Sequence, residues 1–165
     1  MSEVQLADIR AVFQLFEDKL KEASDTLDQQ DQVPVMFLTT LDMEALNPAR
    51  GIYGILMNGN NFSKDEKIRG NALIMKDDLL IGVASVIRFI SNPNVSIENQ
   101  PMIPAEYTEL AVNTISGIEV YNKRPEYERK IFPVRTELID EAKGVWKYLT
   151  TFSVPRDFIE ASLTE

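Results

Sequence analysis

Two pairs of acidic residues are the first candidates for chemistry in this chain: Glu106 with Glu109, and Glu137 with Asp140, the members of each pair three positions apart. On a helix, residues at this spacing lie on neighbouring turns of one face, so two such pairs on facing helices could enclose a cation. A hard divalent ion such as Mg²⁺ takes oxygen ligands and commonly shares them with substrate phosphates. Carboxylates dominate the inventory because the chain has no His and no Cys. That absence excludes a Ser-His-Asp triad, a thiolate nucleophile, a structural zinc site and the usual ligation of haem or iron–sulfur clusters. The spacing is also common here, recurring at Glu22/Asp25, Asp25/Asp28, Asp28/Asp31 and Asp157/Glu160.

A second cluster is basic. Lys123, Arg124, Arg129, Lys130 and Arg135 are interleaved with Tyr121, Tyr127 and Phe132, the mixture that single-stranded nucleic acid or a phosphorylated ligand would need. Glu126 and Glu128 sit inside it and partly neutralise it, so residues 123–135 read as a polar loop facing the acidic remainder of the protein. There is no GxxxxGK phosphate loop, and Gly51, Gly54 and Gly59 do not form a dinucleotide fingerprint. The motif ExxE followed one element later by ExxD, with EYTEL and ELID as its instances, is similar to that of the all-α nucleoside-triphosphate pyrophosphohydrolases of the MazG and dimeric dUTPase type. The resemblance covers less than a third of the chain. It implies a Mg²⁺-dependent enzyme that releases pyrophosphate from a nucleotide.

These residues need elements to position them. From residue 4 to 29, Leu6, Ile9, Phe13, Phe16, Leu20, Ala23 and Leu27 advance alternately by three and four, an a/d seam of period 3.5 that predicts a helix. Glu17, Asp18, Lys21, Asp25 and Asp28 lie opposite, and Val12 and Leu15 widen the stripe. The run VPVMFLTT at 33–40 reads as an edge strand, since Pro34 lacks an amide donor, and 52–57 as a second strand. Ser63 with Glu66 has the form of a capping box, after which Ile68, Ala72, Met75, Leu79, Val83, Val86 and Ile90 keep helical phase. One long helix ending before Pro93, its second half the most buried, is therefore expected, with two helices broken near Asp77 as the alternative. Further helices are expected from Pro104 to about Tyr121, across 134–149 with Trp146 on its apolar face, and from Pro155 to about Leu163.

The expected fold is therefore a mainly α single domain over 1–165, a helical bundle with a small two-stranded hairpin from 33–57 packed on it. An α+β fold is the alternative. In that frame Asp140 lies opposite the stripe of Leu138, Ala142, Val145 and Leu149, and Glu109 points away from that of Tyr107, Leu110 and Ile118, so both carboxylates are expected to face water.

The composition sets the outer bounds. A chain of 165 residues with 44% hydrophobic side chains can bury a core without disulfides or metals. The formal charge of −9 opposes non-specific binding to nucleic acid and to anionic membranes. The N-terminus has neither a cationic nor an apolar signal region, and the greasy stretch 79–90 is too short to span a bilayer, so a cytoplasmic protein is expected. Charge is uneven: residues 1–31 hold 8 acidic and 3 basic side chains, while 121–135 hold 5 basic and 2 acidic. Such polarity steers association.

The leading expectation is a non-enzymatic interaction or regulatory protein: an adaptor, inhibitor or assembly factor with a protein partner or a second copy of itself. Leu6, Ile9, Phe13, Phe16, Leu20, Glu17 and Asp18 would form the contact, without a catalytic residue, metal or cofactor. The Mg²⁺-dependent pyrophosphohydrolase is the alternative.

Overall fold

The computed structural model describes residues 4–5, 9–39, 50–64, 72–121, 130–155 and 159–162. In chain order the elements are β1 (Val4–Gln5), α1 (Ile9–Asp25), β2 (Val35–Phe37), β3 (Gly51–Lys64), β4 (Ala72–Arg88), α2 (Pro104–Ile115), β5 (Val120–Tyr121), β6 (Phe132–Ala142), β7 (Val145–Pro155) and β8 (Ile159–Ser162). Two short 3-10 turns, Gln29–Asp31 and Ile97–Asn99, precede β2 and α2 respectively. The main sheet runs β2-β3-β4-β7-β6, with β8 pairing the start of β4 and β1 pairing β5 separately. Only β2 runs parallel to its neighbour in the main sheet; the other ladders are antiparallel. The protein is thus a sheet-rich α+β fold, which corrects the expected mainly α helical bundle.

The largest correction is β4. The stretch with helical phase from 68 to 90 contains a 17-residue strand, flanked on one side by β3 and on the other by β7. A central strand is buried on both faces, so it shows a continuous apolar run instead of alternation, and such a run also satisfies helical spacing. Its β-branched content, Ile81, Val83, Val86 and Ile87, suits the pleated surface, and all four are buried.

The expected helix over 134–149 is instead a hairpin. β6 and β7 meet at Lys143-Gly144, where φ is 53° and 79°. Two successive positive φ values make the type I′ turn whose twist matches the flanking strands, and glycine at the second position adopts it without strain. The expected terminal helix from Pro155 contains β8. The described residues of 33–57 form no hairpin either: β2 pairs with β3 in parallel.

Both helices cover one face of the sheet. Val12, Phe16, Leu20 and Ser24 of α1 recur every fourth residue and are buried, and the Phe16 ring meets Phe152 of β7 edge-on at 5.6 Å. Where α1 ends, the Ser24 hydroxyl donates to the Val33 carbonyl and accepts from the Val33 amide, both at 2.9 Å, which fixes the turn into β2. α2 starts at Pro104, in the first turn that needs no amide donor, and Glu106 reaches back to the Ile103 amide at 3.1 Å. Tyr107, Ala111 and Ile115 bury its inner face. On the opposite face of the sheet, Leu38, Ile52, Ala84 and Val86 form a smaller apolar cluster. Leu38 lies over Gly54, its Cδ1 only 2.2 Å from where a Cβ would stand. No helix among the described residues is long and apolar enough to cross a membrane.

Candidate interaction surface

The acid pairs singled out by their spacing do not form a site. Glu106 and Glu109 are exposed on α2, whereas Glu137 and Asp140 are exposed on β6, a strand and not a helix. Glu106 is occupied by the Ile103 amide, and Glu137 lies 3.6 Å from Arg135. Among the described residues no three acidic side chains are grouped so as to hold a metal ion. Of the basic cluster, Lys130, Phe132 and Arg135 are described; Lys123, Arg124, Tyr127 and Arg129 lie outside the described residues, as does the side chain of Tyr121.

The α1 residues expected to bind a partner divide sharply. Phe16 and Leu20 are fully buried in the protein's own core and present nothing to another molecule. Phe13 is partly buried and meets Phe37 of β2 edge-on at 5.4 Å, while Ile9 is 40% exposed. Leu6 lies outside the described residues. Glu17 accepts from Lys21 at 2.5 Å, a bond that raises the lysine above its ordinary value, and exposed Asp18 accepts from Gln14 at 2.8 Å. These are pairs one turn apart on a solvated face.

One interior polar network is used up structurally. Arg50 donates to the Arg88 and Met102 carbonyls and stands 3.6 Å from Asp31. Its guanidinium lies 5.6 Å from the centre of the Tyr107 ring. Tyr107 donates to the Asp31 carbonyl at 2.7 Å, and Tyr53 donates to the Tyr107 carbonyl. Burial holds both phenols above their ordinary value, with Arg50 pulling Tyr107 back down. The network ties the turn at 29–31, the start of β3, the loop before α2 and α2 itself. A phenol kept protonated and already donating to a backbone carbonyl is a fastener, not an acid or base poised for a substrate.

The least satisfied surface is β6. It is 11 residues long and stands at the edge of the sheet, paired only with β7 among the described residues. Of the nine large exposed hydrophobic side chains among the described residues, four sit on it: Phe132, Val134, Leu138 and Ile139. An edge strand offers a row of unpaired amides and carbonyls, and native proteins usually keep such edges short. The opposite edge, β2, has three residues. Register shifts between Pro133 and Arg135 and between Leu138 and Asp140 leave Val134 and Ile139 outside the ladder to β7.

Two clefts lie near this strand. One, of about 600 Å³, lies at its start and is lined by Leu80, Lys130, Phe132, Val134, Ser153 and Pro155 among others. The second, of about 430 Å³, lies beside α2 against Phe89, Ile97, Ile103, Trp146 and Tyr148. Trp146 donates its indole N–H to the Phe89 carbonyl at 3.1 Å, so its ring is held as part of the wall. Tyr148 pairs across the ladder with Leu138 of β6, which brings the second cleft next to the strand.

No protein-family model matches the chain, and no curated protein matches it in sequence.

Sequence reasoning missed β6 because Val134, Leu138, Ala142 and Val145 keep helical spacing while adjacent Leu138 and Ile139 break strand alternation. The signal that could have found it is the dipeptide Lys143-Gly144 between two runs rich in Val, Thr, Phe and Tyr.

Proposed function

We propose that this protein acts by binding another polypeptide chain, with β6 as the contact. The observation that supports this reading is the long edge strand, which among the described residues has β7 as its one ladder partner and carries four exposed apolar side chains. An extended segment laid along such an edge gains main-chain hydrogen bonds from the strand. Its alternate side chains point to the two faces of the sheet, beside Phe132 on one and Leu138 on the other. The contact therefore shifts from the seam of α1 to the far edge of the sheet, while the role of interaction or assembly protein is kept.

A photo-activatable residue at Ile139 tests the proposal, with one at Lys19 on the solvated face of α1 as control. On irradiation in the producing cells, a polypeptide adduct is expected at Ile139, suppressed by excess unlabelled protein but not by a Leu138→Lys, Ile139→Lys double variant. Adducts no stronger at Ile139 than at Lys19 would overturn it.

A further inference from the structure

We infer that the polypeptide received by β6 is a second copy of this chain, paired antiparallel through β6; this rests on the reading of β6 as a contact surface. The ladder to β7 assigns the strand's side chains to faces. Phe132, Arg135, Glu137, Asp140 and Ala142 share the face away from the helices, and Pro133, Thr136, Leu138 and Glu141 share the helix face. Charge along the strand is polar: Arg135 stands near its start, and Glu137, Asp140 and Glu141 follow toward its end. A two-fold axis perpendicular to the sheet reverses the second strand while preserving its faces. Arg135 of each copy then approaches Glu137 and Asp140 of the other on the face away from the helices, where the ladder to β7 places all three. A parallel pairing of the same edge would need a two-fold along the strand, which turns the helix faces of the two copies to opposite sides of the joined sheet and forgoes this charge match.

Arg135 has a weak hold where it is. Its contact with Glu137 spans 3.6 Å between side chains that are 68% and 43% exposed, and an exposed pair of this kind contributes little. It is free in energetic terms to exchange that carboxylate for one on the second copy. Leu138 and Ile139, 48% and 43% exposed, flank the middle of the strand and lose water when the copies meet. The surface is thus complementary to itself in both charge and apolar character, the requirement for an isologous dimer.

The test uses the purified full chain in sedimentation velocity across micromolar concentrations. A dimer is expected for the unaltered protein. Arg135→Glu, which makes the edge wholly acidic, and the Glu137→Lys, Asp140→Lys double variant, which makes it basic, should each sediment as monomers with unchanged circular dichroism. Mixed in equal amounts, the two should recover the dimer, whatever the exact register. An unaltered protein that stays monomeric at 100-fold the concentration giving adducts in cells overturns the inference, as do variants that each remain dimeric or fail to pair on mixing. Ile139 adducts with a different polypeptide, beside a monomeric pure chain, sink only self-pairing; absence of any Ile139 adduct sinks the reading of β6 as a contact surface itself.

Discussion

Tyr53 shows how one side chain joins several elements and carries a pH signature with it. Its ring packs against Tyr107 at 6.1 Å and its hydroxyl donates to the Tyr107 carbonyl, so β3 and α2 are linked by both contacts. Burial raises the phenol above 10.0, its ordinary value, because the phenolate would lose its hydration. A group whose folded value is raised contributes stability that is fully present below the unfolded value. That contribution is lost as the pH climbs above it, since the unfolded chain gives up the proton first. Urea unfolding between pH 8 and 11 should therefore show stability falling above about pH 10, less steeply for Tyr53→Phe, which keeps the ring and has one phenol fewer to titrate. Tyr107 shares the upward shift and faces Arg50, Asp31 and Glu106, so the variant should flatten the decline without abolishing it. Ser85 makes the opposite case. It is fully buried on β4 between Tyr53 and Tyr148 in register, and its hydroxyl has no hydrogen-bond partner among the described residues. Ser85→Ala should raise stability by about 1 kcal/mol, read as a higher melting temperature, because it removes a buried polar group that gains nothing in return.

At the scale of elements, α1 separates what burial decides from what surface charge decides. Phe16 fills the space above Phe152, so Phe16→Ala should cost about 3–5 kcal/mol in denaturant unfolding. Asp18, exposed and accepting from Gln14 one turn away, should change stability by less than about 0.5 kcal/mol when replaced by Ala. The same helix was legible in the sequence because half of it faces water, which leaves a stripe of period near 3.6. β2 and β3 were legible too, through Pro34 and the run from Ile52 to Met57. β4 was not, because Leu79 to Ile87 is apolar toward both neighbouring layers and its period is lost. β6 failed for the opposite reason. Exposed on both faces, it mixes Val134, Leu138 and Ile139 with Arg135, Glu137 and Asp140, and neither face imposes alternation; its two register shifts then break what alternation remains. The acid quartet followed the helices wrongly expected there: once ELID lies on an edge strand, its carboxylates have no facing helix to share a cation with.

For the whole molecule, net charge and topology make separate demands. The net charge is −9, and among the described residues the carboxylates do not gather in threes that could hold a metal ion. Mg²⁺ should consequently shift the melting temperature no more than NaCl of equal ionic strength, measured by scanning calorimetry; a rise of several degrees specific to Mg²⁺ would revive the pyrophosphohydrolase reading. Topology governs the edges. The two bulges of β6 confine regular pairing to a stretch of a few residues, and the sheet ends on its other side in a β2 only three residues long. Cross-β growth needs long, flat, straight ladders that repeat indefinitely, and neither border supplies one. Prolonged storage of concentrated protein at neutral pH should therefore leave thioflavin T dark: a strand bent at two places can welcome a companion without becoming the seed of an amyloid.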